Sequence, residues 1–140
     1  MRKQPLYLSL GSNLGDRKAN IDMALERLNA LFGGRYSRLS PIIETKALGF
    51  DGNDFLNCIV VYESARKPEN ILKACKEIER SMGRTDAPEY DSEGGRIYHN
   101  RTMDIDILIY GNIRVHTEKL TIPHPQVETR PFIKELLLLL

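Results

Sequence analysis

Met103-Asp104-Ile105-Asp106-Ile107-Leu108-Ile109-Tyr110 is an apolar run interrupted twice by a carboxylate. Its β-branched and aromatic content predicts a strand, and Gly111-Asn112 behind it predicts a turn. Side chains of a strand alternate between faces. Asp104 and Asp106 therefore share one face, with Cα atoms about 6.5–7 Å apart, while Met103, Ile105, Ile107 and Ile109 are expected on the other. An apolar face on one side and two charges on the other describe a sheet strand with one covered face. The upstream segments tell which other elements build that sheet.

Leu6, Leu8 and Leu10 alternate with Tyr7 and Ser9 and predict a first strand ending at Gly11. Asp16 is placed to cap a helix reaching about Phe32, because Ile21, Leu25, Leu28 and Phe32 recur at three- and four-residue steps. The Gly33-Gly34 pair stops it. A second strand is expected over Tyr36–Glu44 and a third over Phe55–Glu63. Pro68 opens a second helix with Ile71, Leu72, Cys75, Ile78 and Met82 on one stripe, ending at Gly83. The order β-α-β-β-α-β predicts an α+β, ferredoxin-like fold, an antiparallel sheet with two helices on one face. From Arg114 onward Pro123, Pro125 and Pro131 predict a mostly irregular C-terminal extension with at most one short helix, wrapping the open face or an edge. The closing Leu136–Leu140 run admits either a core-docking turn or the start of a further element.

The chain has 140 residues with 41% hydrophobic content, enough for one core over residues 1–140 without a disulfide or structural zinc. Twenty Lys and Arg against nineteen Asp and Glu give a net charge of +1, so no long-range field recruits nucleic acid or an anionic membrane. The apolar stretch near the N-terminus is too short for a signal-peptide core, and no run of apolar residues reaches membrane-spanning length. Cys58 and Cys75 have no CxxC or Cys/His spacing and read as buried thiols of a reducing, cytoplasmic compartment.

The Asp104/Asp106 pair needs positive charge beside it. One or two hard divalent cations would supply it, as in phosphoryl transfer; an edge strand guarded by charge, or an ion pair with Arg101, would also account for it. Phe55 and Asn57 share a face of the third strand, a ring to stack on a flat heterocycle and an amide to read its edge, although ordinary packing explains them as well. Arg84, Arg96, Arg101, Lys119, His124 and Arg130 are cations able to neutralise phosphate oxygens, and Glu79 could accept from a nucleotide. The Arg84–Arg101 segment lacks periodicity and feeds the acidic strand, which suggests a functional loop. No P-loop, dinucleotide fingerprint or nucleophile–base motif is present, which favours direct in-line transfer. The same element order also serves RNA-binding and ligand-sensing modules, but near-neutral charge and an acidic pair in a core strand argue against RNA.

Taken together, several segments resemble the 6-hydroxymethyl-7,8-dihydropterin pyrophosphokinase family. They are Leu10-Gly11-Ser12-Asn13-Leu14-Gly15-Asp16, Phe55-Leu56-Asn57, Glu79 with Gly83-Arg84, Arg101-Thr102-Met103-Asp104-Ile105-Asp106-Ile107, and Leu120-Thr121-Ile122-Pro123-His124-Pro125 with Arg130 and Phe132. The resemblance implies a monomeric enzyme that takes ATP and a reduced pterin, requires two Mg²⁺ ions and releases AMP. Asp104 and Asp106 would hold both metals, and Phe55 with Phe132 would sandwich the pterin. Asn57, with backbone groups near Thr45 and Leu48, would read its edge. Glu79, Arg84, Arg101, Lys119, His124 and Arg130 would serve ATP, with His124 favouring its charged form beside phosphates. The segment after Arg84 resembles a mobile lid. It departs from the family in Asp86, where a second arginine is common, and in Ile97-Tyr98-His99-Asn100, which replaces Arg-Trp-Gly-Pro; Lys119 also stands where arginine is frequent.

Overall fold

The structure, a computed structural model, describes residues 2–46, 53–83, 89–90, 92–93, 96–97 and 102–140. Its elements in chain order are β1 (Gln4–Ser12), α1 (Arg17–Phe32), β2 (Arg38–Leu39), β3 (Ile43–Thr45), β4 (Phe55–Ser64), α2 (Pro68–Ser81), β5 (Glu89–Tyr90), β6 (Arg96–Ile97), β7 (Asp104–Tyr110), β8 (Val115–His116), β9 (Thr121–Ile122), α3 (Gln126–Thr129) and α4 (Pro131–Leu138). The main sheet runs β2-β4-β1-β7, with β3 on the same edge of β4 as β2, and every pairing is antiparallel.

Alternation along the strands decides what each face carries. Leu6, Leu8 and Leu10 of β1, Cys58, Val60 and Tyr62 of β4, and Ile105 and Ile107 of β7 point to the face covered by Ile21, Ala24, Leu25 and Leu28 of α1 and Ile71 and Cys75 of α2. Each Leu or Ile fully buried there contributes about 1.5–3 kcal/mol relative to exposure. Asp16 caps α1 as its spacing suggests, its carboxylate accepting from the Ala19 N–H at 3.1 Å, and Gly33 ends the helix in the left-handed region at φ 73°. Cys58 and Cys75 are free and buried, and burial pushes both thiols up to about 12. Neither is a reactive thiolate at neutral pH.

Several features depart from the sequence reading. The second strand is split into β2 and β3 because Pro41 has no N–H to give to a ladder. Ser40 fills the break: its N–H donates to the Ile59 carbonyl at 2.9 Å, and its hydroxyl accepts from the Ile59 N–H at 2.8 Å. Within β7 the register shifts, so that Leu8 pairs with Ile107 but Tyr7 with Ile109. The extra residue is Leu108, and it turns Ile109 away from the face expected of it. The C-terminal stretch, expected to hold at most one short helix, contains the β8–β9 hairpin and two helices. Pro131 starts α4 instead of breaking it, since the first helical turn needs no N–H from that position.

Helix α4 covers the face of the sheet that α1 and α2 leave open. Ile133 and Leu136, both at 0% exposure, pack with Ile59 and Leu108. This second apolar cluster is centred on Ile59 and Leu108. The end of the face around Gly11, Asn57 and Asp104 carries the polar groups, with Phe55 and Phe132 beside them. In the 84–101 segment, β5 and β6 pair antiparallel, Glu89 with Ile97 and Tyr90 with Arg96, where the sequence pattern predicts no regular structure. Among the described residues no helix is long and apolar enough to cross a membrane.

Candidate active site

Sheet register assembles the site. Gly11 of β1 is opposite Asn57 on one side and Asp104 on the other, and Ser9 is opposite Ile59 and Asp106. With neighbouring strands about 4.8 Å apart, Asn57 and Asp104 flank a glycine across roughly 10 Å of sheet. Gly11 leaves Asn57 its room: a Cβ on it would lie 2.9 Å from Asn57 Oδ1 and 3.4 Å from Phe55 Cδ1. The Asn57 amide donates to Thr45 Oγ1 at 2.5 Å, so its oxygen is left turned toward Gly11. Asn57 is buried, at 6% exposure.

A narrow pocket opens over this floor. Phe55, Asn57, Ser9 and Gly11 line one part, Asp104 and Asp106 another, and Gln126, Arg130 and Phe132 close it from the C-terminal segment. The Arg130 guanidinium carbon stands 4.5 Å from the centre of the Phe132 ring. Burial holds Arg130 below its usual value, opposed by the charges of Asp106 and Asp104. Phe132 and Phe55 are thus brought to the same cavity although 77 positions separate them in the chain (132 − 55).

A second, wider groove runs along the outer edge of β7. Lys76 and Glu79 of α2, Lys119, and His124 line it, and it shares Asp104, Asp106 and Gln126 with the first pocket. Glu79 is 2% exposed, and its Oε2 accepts from the Ile105 N–H at 2.7 Å. Ile105 lies between the two aspartates on the strand edge that β1 does not cover, so a buried carboxylate satisfies a backbone donor that pairing would have left to water. The backbone N–H of His124 donates to the Leu108 carbonyl at 2.8 Å, and its ring Nδ1 accepts from the Gln126 backbone N–H at 3.1 Å. Burial lowers the His124 pKa from 6.5, with Asp104 opposing. The charged form expected beside phosphates is therefore disfavoured by the protein alone, because dehydrating the ring costs more than Asp104 returns.

Nine of the expected site residues are gathered around these two cavities: Asp104, Asp106, Phe55, Asn57, Phe132, Glu79, Lys119, His124 and Arg130. Thr45 is behind Asn57, bonded to it. Arg84, Arg101 and Leu48 lie outside the described residues, as do Asp86 and His99. Ser9, Gly11, Lys76 and Gln126 were missed. Ser9 and Gly11 were detectable only by pairing the strands, since each is one strand away from its aspartate, whereas Gln126 comes directly after His124-Pro125.

The aspartates suit a hard divalent cation: two same-face carboxylates, partly exposed, on a strand whose backbone is fixed on both edges. Among the described residues no cluster of three or more His, Cys, Asp or Glu side chains is poised as a complete metal cage. A cation held here would take its remaining ligands from water and from phosphate, which is the usual mode for Mg²⁺.

Over residues 7–140 the chain matches the family described as 7,8-dihydro-6-hydroxymethylpterin-pyrophosphokinase. It is 44% identical over 131 residues to the 2-amino-4-hydroxy-6-hydroxymethyldihydropteridine pyrophosphokinase of Porphyromonas gingivalis, covering 92% of this chain and 85% of the relative. The protein of the same name from Bacillus subtilis is 32% identical over 128 residues, covering 91% of this chain and 72% of the relative. The folic acid synthesis protein fol1 of Schizosaccharomyces pombe is 36% identical over 135 residues, 96% of this chain but 17% of that longer protein. The chain belongs to the 7,8-dihydro-6-hydroxymethylpterin-pyrophosphokinase family.

Proposed function

We infer that the chain transfers the diphosphate group of ATP to the hydroxymethyl group of 6-hydroxymethyl-7,8-dihydropterin, releasing AMP, on the route to folate. The observation that carries this reading is that Asp104 and Asp106 form a wall common to both cavities. One cavity has the ring and amide that suit a flat heterocycle, and the other has the cations that suit a triphosphate. The acceptor alcohol and the donor phosphates therefore meet at the carboxylates.

Phe55 and Phe132 stack the pterin, Asn57 pairs with its edge while Thr45 holds the amide in place, and backbone near Leu48 completes the edge contact. Lys119, His124 and Arg130 orient the triphosphate, and Arg84 and Arg101 join them from the segment after α2. Glu79 fixes the strand that carries the aspartates and borders the nucleotide groove. Asp104 and Asp106 would hold two Mg²⁺ ions, which when bound would neutralise phosphate charge and make the attacking hydroxyl more acidic. The residues then act mainly by alignment, which alone supplies much of the acceleration of an in-line displacement. Burial disfavours the charged form of His124 in the free protein, and phosphate beside it would favour that form.

The finer architectural reading is a ferredoxin-like sheet in one catalytic domain over residues 1–140, acting as a cytoplasmic monomer, with the 85–100 segment closing over both substrates. The observed strand order and the two helices sharing one face support the ferredoxin-like part of that reading. The test is AMP release from ATP, Mg²⁺ and 6-hydroxymethyl-7,8-dihydropterin by the parent and by Asp104→Ala and Asp106→Ala variants. AMP from the parent and losses of about 10²-fold or more in both variants are expected. Near-parental rates in both variants, or ADP as the product, would remove the assignment.

A further inference from the structure

A cation in the first turn of a helix is unfavourable, because the exposed N–H groups there already carry partial positive charge. Helix α1 nonetheless begins with Arg17, with the Asp16 cap before it and no acidic residue within the first turn itself. The Arg17 side chain is turned away from the helix axis toward two other segments. Its Nη2 is 3.2 Å from Glu44 Oε2 on β3, and its Nη1 donates to the Asp54 carbonyl at 2.9 Å, immediately before β4. Beside it the Asn13 amide donates to the Asn53 carbonyl at 3.0 Å, and the Asn53 amide donates to the Asn13 carbonyl at 3.3 Å.

Strand β3 needs such support. It is three residues long, lies at the sheet edge, and makes only the pairs Ile43–Asn57, Glu44–Leu56 and Thr45–Phe55. Through those pairs it places Thr45, the residue that orients the Asn57 amide. If β3 separates from β4, Asn57 loses its partner and the heterocycle pocket loses its edge reader. Arg17 bridges the middle residue of β3 to the residue preceding β4, across the two stems of the 47–52 segment.

We propose that Arg17 is a positioning residue for the pterin substrate: by clamping Glu44 to the Asp54 carbonyl it holds β3 against β4 and keeps Asn57 in its binding orientation. This rests on the pterin reading of the pocket. It assigns to Arg17 an effect on one substrate only, since the nucleotide groove is on the opposite edge of the sheet, along β7.

The experiment measures steady-state kinetics and direct pterin binding for the parent, Arg17→Ala, Arg17→Lys, Glu44→Ala and the Arg17→Ala/Glu44→Ala double variant. Hydrogen exchange is followed at the β3 and β4 amides. Arg17→Ala is expected to raise the KM and Kd for pterin about 3- to 10-fold, as for loss of one charged hydrogen bond and one ion pair. Its kcat and the KM for ATP stay within about twofold. Exchange rises at Thr45 and Phe55 but not in α1. Arg17→Lys, able to keep one contact, falls between, and the double variant is no worse than Arg17→Ala alone. A parental pterin KM in Arg17→Ala overturns the proposal, as does a parallel rise in both KM values or an additive double variant. A parent that neither binds pterin nor releases AMP overturns the functional reading instead, which the parent's own data reveal before any variant is compared.

Discussion

Replacing Gly11 with alanine tests the pocket floor with one methyl group. Gly11 does not have a positive φ, so alanine meets no backbone strain there. The new Cβ would lie 2.9 Å from Asn57 Oδ1 and 3.4 Å from Phe55 Cδ1. Asn57 cannot yield freely, because its amide is tied to Thr45 at 2.5 Å and it is buried. Overpacking of this kind costs about 1–3 kcal/mol, while removing a strand glycine returns about 0.5–1 kcal/mol. The fold should therefore lose no more than about 2.5 kcal/mol. Pterin recognition suffers more, since a displaced Asn57 forfeits hydrogen bonds worth about 1–2 kcal/mol, or about 5- to 30-fold in Kd. Calorimetric titration with 6-hydroxymethyl-7,8-dihydropterin reads this directly, and titration with a nonhydrolysable ATP analogue should change by less than about twofold. Pterin affinity within twofold of the parent in a folded variant would refute the placement of Asn57 and Gly11 at the binding floor.

Glu79→Ala leaves the Ile105 N–H buried without its acceptor and should cost about 1–3 kcal/mol in urea unfolding, whereas Glu79→Gln keeps a carbonyl oxygen there and should cost less. Equal stability of parent and Glu79→Ala would show that the bond contributes nothing. Burial lowers the His124 pKa, so its neutral form is the one folding favours. The associated stability is fully present above the ordinary value of 6.5 and is lost as pH falls through the lower folded value. NMR titration of the protein without nucleotide should place the imidazole midpoint below 6.5. A midpoint above that value would contradict the account of its surroundings.

Much of the fold was legible because local chemistry and tertiary demand agree. Leu6, Leu8 and Leu10 alternate, Asp16 caps and Gly33 stops α1, and all of them do in space what their spacing implies. Legibility failed where a long-range partner decides. Ser40 and Pro41 divide a continuous β-prone stretch because Ser40 can bond Ile59, nineteen positions away. Leu108 bulges because β1 and β7 cannot match residue for residue over their whole length. Pro131 looked like a breaker, but a proline starts a helix when the residues after it have a surface to cover, and Ile133 and Leu136 had an apolar sheet face waiting for them.

At the site the pattern is similar. Asp104 and Asp106 announce themselves by breaking an apolar strand, and alternation gives their common face. Gly11 and Ser9 carry no such mark, and their role exists only in the register that sets them beside those aspartates. Glu79 was legible as a site residue but not as the acceptor for Ile105, a contact made between a helix and a strand edge. Arg84, Arg101 and Leu48 lie outside the described residues, and their roles remain those implied by family resemblance.

The central claim is that Asp104 and Asp106 together hold divalent cations between the pterin pocket and the nucleotide groove. Crystals grown with Mn²⁺ in place of Mg²⁺, a nonhydrolysable ATP analogue and pterin allow the ions to be located by anomalous scattering. The account predicts two peaks, both ligated by these carboxylates and by phosphate oxygens. Peaks elsewhere, or both aspartates paired with arginine and no ion beside them, would contradict it.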